Sequence, residues 1–113
     1  MHEYSIVGAL IAEVEAEARR RGASRVHRVQ VRLGERSGVE IELLREAYAL
    51  FREGSICATA PLEIEPIPAR WGCPECGLLL REGAPLRCAP CARPATMLQG
   101  DEILLQRLHL EVA

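Results

Sequence analysis

Lysine is absent from the sequence, and aromatic residues make up only 4% of its 113 residues. All 14 basic residues are arginine, and with 16 acidic residues the formal net charge is −2. Proteins that bind nucleic acid usually carry basic residues clustered on one face, whereas these arginines are dispersed along the chain. Composition therefore gives little support for a nucleic-acid binder.

Long apolar runs are also missing, and a helix that spans a membrane needs about 20 mostly apolar residues. The N-terminal segment, MHEYSIVGALIAEVE, contains acidic residues and lacks the basic start of an export signal. We therefore expect a cytoplasmic location with no membrane contact. Hydrophobic residues at 49% and charged residues at 27% are typical of an ordinary globular protein.

The chain contains five cysteines. Thiols stay reduced in the cytoplasm, so an odd number of cysteines in a short chain indicates metal ligands rather than a disulfide framework. Four of them form the pattern C-x2-C-x11-C-x2-C, at Cys73, Cys76, Cys88 and Cys91. Four thiolates in a tetrahedron favour zinc, and they leave no position for a catalytic water. We predict a structural zinc site, with an iron-sulfur cluster or a redox pair as alternatives.

The fifth cysteine, Cys57, stands between Ile56 and Ala58 and has no CxxC partner. A free cysteine in such a setting is usually a small buried apolar residue. We therefore predict a core position for Cys57 rather than a nucleophile.

Apolar periodicity predicts two helices, at about 5–21 and 39–53, and short strands around Val31, Ile64 and Leu110. Residues 70–94 are rich in Cys, Pro and Gly and show no sustained period, so a metal must stabilise them. The predicted fold class is α+β: a two-layer domain of two helices on a small mixed sheet, with an inserted zinc-ribbon-like module. The predicted domains are 1–68, completed by 100–113, and the inserted module at 69–99.

The start of the second predicted helix contains Ser37 and, three residues later, Glu40. This spacing predicts a capping box, which explains an acid at position 40 without any metal. His27 falls in register with Val29 and Val31, so we predict a buried structural histidine. His109 has the opposite parity to its leucine neighbours, so we predict a solvent-facing one.

The N-terminus places an α-amine on Met1, a backbone amide and the imidazole of His2 on one short stretch of chain. The amine titrates at about 7.7–8.0 and imidazole near about 6.5, so both accept a metal around neutral pH. Nitrogen donors in a square-planar or tetragonal arrangement suit nickel(II) or copper(II) better than zinc. The residues alone leave open a solvated terminal histidine with no metal role.

Four segments carry a resemblance to a known family: MHEYSIV, LGERSGVEIELLREAYALFREGS, LEIEPIPARWGCPECG and GDEILLQRLHLE. Together they resemble the hydrogenase maturation nickel metallochaperone family, HypA/HybF, over nearly the whole chain. The resemblance implies a protein that is not an enzyme. It implies that the chain takes up nickel in the cytoplasm and helps deliver it to the [NiFe]-hydrogenase large subunit, with the nickel-binding GTPase HypB as partner. Some members also serve urease maturation.

The same resemblance implies a ligand set. His2 is the central nickel ligand, beside the Met1 amine and its own backbone, and Glu3 and Glu40 are secondary. Some relatives add a histidine from the zinc module, but this chain has none between residues 28 and 108. The second knuckle, CAPCARP, lacks the glycine that often follows such a CxxC.

Two other functions remain open from the residues. The first is a zinc-ribbon module that binds protein or nucleic acid and has no nickel function, and the second is a metalloenzyme. The ribbon segment offers only Trp71 and four arginines for such binding. A metalloenzyme would need an open coordination position, which all-cysteine ligation does not leave. For a nickel carrier, we predict that falling pH promotes metal release by protonating the Met1 amine and His2.

Overall fold

The computed structural model describes residues 2–112, with side chains from residue 3 onward. The order of elements in this part is α1 (His2–Arg20), β1 (Ala23–Gly34), α2 (Ile41–Phe51), β2 (Leu62–Ile67), β3 (Arg70–Gly72), β4 (Arg87–Cys88), β5 (Arg93–Pro94), β6 (Thr96–Gln99) and β7 (Ile103–Val112). No helix of this part is long and apolar enough to cross a membrane.

A three-stranded sheet in the order β2-β1-β7 forms the centre of the fold. Strand β1 runs parallel to β2 and antiparallel to β7, so the sheet is mixed, as predicted. Both helices pack on one face of this sheet, where β1 contributes the buried residues Val26, Val29, Val31 and Leu33. The two-layer α+β class predicted from the sequence is confirmed.

Helix α1 buries the stripe that its periodicity predicts: Val7, Leu10, Ile11, Val14 and Ala18. Each larger side chain contributes about 1.5–3 kcal/mol through removal of apolar surface from water. Gly22 follows the helix with φ +66, which is the left-handed conformation typical of a helix end.

Helix α2 begins at Ile41, and Glu40 is its N-cap residue with extended backbone and no capping hydrogen bond from its side chain. The hydroxyl of Ser37 instead accepts the N–H of Val39 at 3.3 Å. The predicted capping box is therefore wrong. Ser37 and Val39 thus form a local turn that precedes the helix.

The prediction that His27 is buried is also wrong, because its side chain is 49% exposed. The pairing of β1 with β7 shifts register between Val26 and Arg28, so His27 occupies an irregular position and Val26 enters the core. Such a bulge changes the face to which the following side chains point. The imidazole Nε2 lies 2.9 Å from a carboxylate oxygen of Glu111.

Strand β2, which was predicted around Ile64, runs from Leu62 to Ile67 and so contains Pro66. Proline is tolerated there because β2 is an edge strand and the missing N–H breaks no ladder. Strands β3 to β6 pair in two separate two-stranded sheets, β3-β6 and β4-β5. They lie in residues 69–99, which we call the cysteine module.

Both connections of the cysteine module pass the end of β1. A Cβ atom on Gly34 would lie 2.1 Å from the carbonyl oxygen of Gly100, so only glycine permits this close approach. The same carbonyl accepts the N–H of Arg36 at 2.6 Å. The Glu35 carboxylate accepts the N–H of Ala69 at 3.2 Å. The β1–α2 loop therefore fixes the module to the sheet.

Candidate metal centres

The four cysteines of the two CxxC units meet in space. Their sulfur atoms all lie within 4.8 Å of one another, and those of Cys76 and Cys88 are 3.7 Å apart. A tetrahedral ion with metal–sulfur bonds of about 2.3 Å requires sulfur atoms about 3.8 Å apart. The sulfur positions therefore fit one tetrahedral metal ion, and this donor set favours zinc.

The first knuckle, Cys73 to Gly77, is a tight turn. Gly77 has φ +75 and donates its N–H to the carbonyl of Cys73 at 3.0 Å. The backbone N–H groups of Glu75 and Cys76 point at the Cys73 sulfur, at 3.4 and 3.5 Å. These groups favour the ionised thiolate that a metal requires.

The second knuckle contains Ala92 at the position where the first has glycine. Ala92 is the only residue other than glycine with positive φ, at 51°, in the part of the chain that the structure describes. The turn forms nonetheless, and the Arg87 guanidinium donates to the Ala92 carbonyl at 2.7 Å. An Arg93–Glu75 ion pair at 3.4 Å links the two knuckles at the surface.

The pKa values of the cluster's thiols differ widely between Cys73 and Cys91. The backbone N–H of Cys76 is the largest cause that lowers the pKa of Cys73, to about 7. The thiols of Cys76 and Cys73 raise the pKa of Cys91 to about 12. One thiolate forms readily and the last one does not, because the sulfur atoms are so close. A divalent cation would supply the charge that allows all four to ionise.

The second candidate centre lies where α1 begins. Glu3 is the one buried charged residue in the described part of the chain, with 6% of its surface exposed. Its carboxylate accepts the backbone N–H of Glu40 at 3.4 Å, at the start of α2. Hydrogen bonds from its own backbone N–H and from that of Glu40 lower the pKa of Glu3. The structure thus places the Glu3 carboxylate at the backbone of Glu40, whereas Glu40 itself is exposed.

Met1 lies outside the described residues, and for His2 only the backbone is described. That backbone forms the first residue of α1. The first four N–H groups of an α-helix have no partner within the helix, so the amide of His2 is not needed for the helical ladder. The neighbouring Glu3 fixes this helix start against α2.

His109 and Cys57 lie apart from both candidate centres. His109 contacts an Arg28 guanidinium nitrogen at 3.0 Å, on the face of the sheet opposite the helices. Cys57 is fully buried in the core, as predicted, and burial raises the pKa of its thiol.

Sequence reasoning missed Gly34 and Glu35, which hold the cysteine module in place. The one sequence feature that could have identified them is the Gly-Glu pair directly after the predicted strand.

Comparison with known proteins identifies the family. The family model for "Hydrogenase/urease nickel incorporation, metallochaperone, hypA" matches residues 1–110. The chain belongs to the HypA family. Hydrogenase maturation factor HypA of Wolinella succinogenes is 42% identical over 98% of this chain and 96% of that protein. The corresponding protein of Shewanella halifaxensis is 42% identical over the full length of both chains.

Solved structures agree with this membership. The solution structure of the Ni metallochaperone HypA from Helicobacter pylori matches with a TM-score of 0.76 and 32% identity, covering 98% of each chain. A second HypA solution structure matches with a TM-score of 0.82 and 33% identity, covering 100% of this chain and 98% of the other. HypA proteins form a metallochaperone family for nickel incorporation and are not enzymes. Membership therefore favours the nickel prediction over a zinc ribbon without nickel function.

Proposed function

We propose that this HypA-family chain binds nickel(II) at its N-terminus, through the Met1 amine, the His2 amide and the His2 imidazole. Glu3 and Glu40 act as secondary groups beside these nitrogen donors. The cysteine module holds a structural zinc ion through its four thiolates. The two metals therefore have different roles, one as transferred cargo and one as a permanent part of the fold.

The observation that carries the nickel proposal is the burial of Glu3 against the start of α2. A buried charged carboxylate is costly unless hydrogen bonds compensate it, and Glu3 accepts one from Glu40. Because Glu3 follows His2 directly in the sequence, this hydrogen bond holds the first turn of α1 against the start of α2. Negative charge near those donors also favours a divalent cation.

The position of His2 within α1 supports the proposed nitrogen set. Consecutive amine, amide and imidazole donors form chelate rings, and a deprotonated amide nitrogen is one of them. In the middle of a helix that amide would already donate to a carbonyl. Because α1 begins at His2, its amide belongs to the first turn, where no such bond exists.

We further propose that the nickel passes to the large subunit of [NiFe]-hydrogenase in the cytoplasm, with the GTPase HypB as partner. Urease maturation proteins are the other recipients that the family description supports. Nickel that is held by the terminal residues can pass to the ligands of a competing site more readily than a metal that is enclosed on all sides. Transfer then proceeds by stepwise ligand exchange.

Calorimetric titration of nickel tests this proposal. The protein is zinc-loaded and has its native N-terminus, and it is compared with His2→Ala and with a form extended before Met1. We expect one nickel per wild-type chain, and loss of most affinity in both variants. Glu13→Gln, an exposed change on the same helix, is the matched control. Equal nickel affinity in all four proteins overturns the proposal.

A further inference from the structure

An open cleft lies where the cysteine module meets the β1–α2 loop. It has a volume of about 400 Å³, and its lining comes from that loop, from β3 and from the segment that joins the two knuckles. Clefts that bind small molecules usually measure about 300–1,000 Å³ and combine apolar surface with a few polar groups. Among the described residues, none that we assign to the nickel or the zinc centre lines this cleft. The metal functions proposed above therefore leave it without a role.

Three arginines from separate segments line the cleft: Arg36, Arg70 and Arg81. Arginines elsewhere on the protein pair with glutamates, as Arg28 and Arg93 do. The three cleft arginines form no ion pair within 4.0 Å in the part of the chain that the structure describes. A guanidinium group stays charged and binds phosphate or carboxylate through two parallel hydrogen bonds. The cleft therefore offers positive charge to an anionic ligand.

Two glutamates also line the cleft, and neither pairs with these arginines. The Glu35 carboxylate accepts the backbone N–H of Ala69 at 3.2 Å, so one of its oxygens is already in use. Glu82 has no side-chain hydrogen bond or ion pair within residues 3–112. In nucleotide sites a carboxylate of this kind accepts hydrogen bonds from ribose hydroxyls.

Backbone hydrogen bonds hold two of the arginines at fixed points of the cleft. The N–H of Arg36 donates to the carbonyl of Gly100 at 2.6 Å. The carbonyl of Arg81 accepts the N–H of Ala84 at 3.0 Å, in a turn where Gly83 has φ +82. A site whose backbone is already ordered loses less conformational entropy when it binds a ligand.

Trp71 supplies the aromatic surface of the cleft and is the only tryptophan in the sequence. Its carbonyl accepts the N–H of Leu80 at 3.0 Å, and β6 pairs with it on the other side at Met97. The tryptophan is only partly buried, and Leu80 and Leu86 extend the apolar lining. A partly exposed aromatic side chain beside arginines is the usual stacking platform for a nucleobase.

We propose that this cleft binds a nucleoside polyphosphate, whose phosphates contact the three arginines and whose base stacks on Trp71. Three guanidinium groups favour a multiply charged anion over a single carboxylate. An inorganic anion would match the arginines but would leave the apolar lining uncovered. A nucleotide carries both features in one molecule, and its ribose hydroxyls can donate to Glu82. The size of the cleft suits one nucleotide rather than a strand of nucleic acid.

Fluorescence of Trp71 tests the proposal on full-length protein loaded with zinc and free of nickel. Because the chain has one tryptophan, the signal comes from the cleft itself. ATP is titrated without Mg²⁺, with correction for absorption by the base. Inorganic triphosphate, adenosine and a single-stranded oligonucleotide are then measured as competitors. We expect saturable quenching by ATP, binding of triphosphate about tenfold weaker because stacking is lost, and no measurable competition by adenosine.

Substitutions in the cleft locate the site. Arg70→Gln and Arg81→Gln should each weaken ATP binding about tenfold, because each removes a charge-assisted hydrogen bond. Arg93→Gln makes the same change of charge on the cysteine module but outside the cleft, so it is the matched control and should bind ATP like the wild type. Trp71→Leu, measured by calorimetry, should reduce the ATP affinity to that of triphosphate.

Four results would overturn the proposal. They are a wild type without saturable ATP binding, equal affinities for ATP and triphosphate, equal ATP affinities in the cleft variants and Arg93→Gln, and an oligonucleotide that binds more tightly than ATP. Zinc content and circular dichroism identify a misfolded variant, and the comparison of probes on the wild type does not depend on any variant. Because the cleft shares no residue with the proposed nickel site, its failure would leave that proposal untouched.

Discussion

The helix–sheet part and the cysteine module hold their chain segments together by different means. Fifteen buried residues form one apolar cluster between the two helices and the sheet, counted over the described part of the chain. Within residues 69–99 the buried hydrophobic residues are Cys73 and Cys88, both metal-ligand candidates. The helix–sheet part is therefore stabilised by its core, whereas the cysteine module has no apolar core of its own and would depend on a bound metal.

The same difference separates the two proposed metal roles. Four cysteines from two tight turns surround one position, so an ion there would have all four of its tetrahedral ligands from the protein. The proposed nickel donors come from Met1 and His2, which precede Glu3 directly in the sequence. The proposed roles, a permanent structural zinc and a transferred nickel, correspond to this contrast between the two sites.

The largest expected effect comes from removing the enclosed metal. Structural zinc contributes about 10–16 kcal/mol of binding free energy, which is folding free energy for a segment without its own core. We expect a strong chelator, or Cys88→Ser, to unfold the cysteine module and leave the helix–sheet part folded. Amide hydrogen exchange resolved by segment measures this.

Cys57→Ala is the matched control for that experiment. It removes a buried thiol from the helix–sheet core, so it lowers overall stability and leaves one zinc bound per chain. Two results would contradict this difference between the two parts of the protein. One is loss of zinc in Cys57→Ala, and the other is a cysteine module whose amides stay protected from exchange after chelation.

The second effect concerns the junction between the two parts. Gly34→Ala would force a methyl group to 2.1 Å from the Gly100 carbonyl. We expect destabilisation of about 2 kcal/mol or more, because backbone must move. Gly8→Ala, which meets no atom within 4 Å on α1, should instead stabilise by about 1 kcal/mol. Urea unfolding compares the two, and equal effects would show that the close approach is not required.

A smaller effect is expected at Glu3. Glu3→Gln removes the charge near the N-terminal donors and should weaken nickel binding about tenfold, the lower end for groups that orient metal ligands. Calorimetric titration of nickel into the wild type, Glu3→Gln and the control Glu13→Gln measures this loss of affinity. An unchanged nickel affinity would remove Glu3 from the site.

The same variant has a pH signature. Folding lowers the pKa of Glu3, so its charged form stabilises the native state above the ordinary value of 4.5 and loses that effect as pH falls below it. The difference in unfolding free energy between wild type and Glu3→Gln should therefore shrink in acid. A difference that stays constant with pH would contradict the hydrogen-bonded carboxylate.

The smallest effect compares the two knuckles. Ala92 adopts φ 51, which costs an alanine about 1 kcal/mol relative to glycine. Ala92→Gly should stabilise the zinc-bound protein by about that amount, and Gly77→Ala should destabilise it similarly. Thermal unfolding of both variants checks the sign. Opposite signs from those expected would show that the knuckles are not equivalent turns.

Much of the fold is predictable from periodicity. Both helices and the buried face of β1 follow the spacing of apolar residues. The spacing of the four cysteines likewise predicts that they form one cluster. These features depend on local pattern and ligand chemistry, which the sequence carries directly.

The remaining features depend on contacts between distant segments. His27 leaves the core because β7 pairs with β1 through a bulge, which no pattern in β1 alone reveals. Glu40 is the N-cap residue of α2, and the Ser37 hydroxyl accepts the N–H of Val39 in a local turn instead of capping the helix. The hydrogen bond from the Glu40 backbone N–H to the Glu3 carboxylate joins residues 37 positions apart, and neither the sequence pattern nor the family resemblance predicted it.

X-ray absorption at both metal edges tests the central claim most directly, on protein loaded with one zinc and one nickel. We predict four sulfur neighbours at zinc, and at nickel nitrogen and oxygen neighbours without sulfur. His2→Ala should change the nickel spectrum and leave the zinc spectrum as it is. Sulfur bound to nickel in the wild type, or a nickel spectrum that His2→Ala does not alter, would contradict two separate metal centres with different roles.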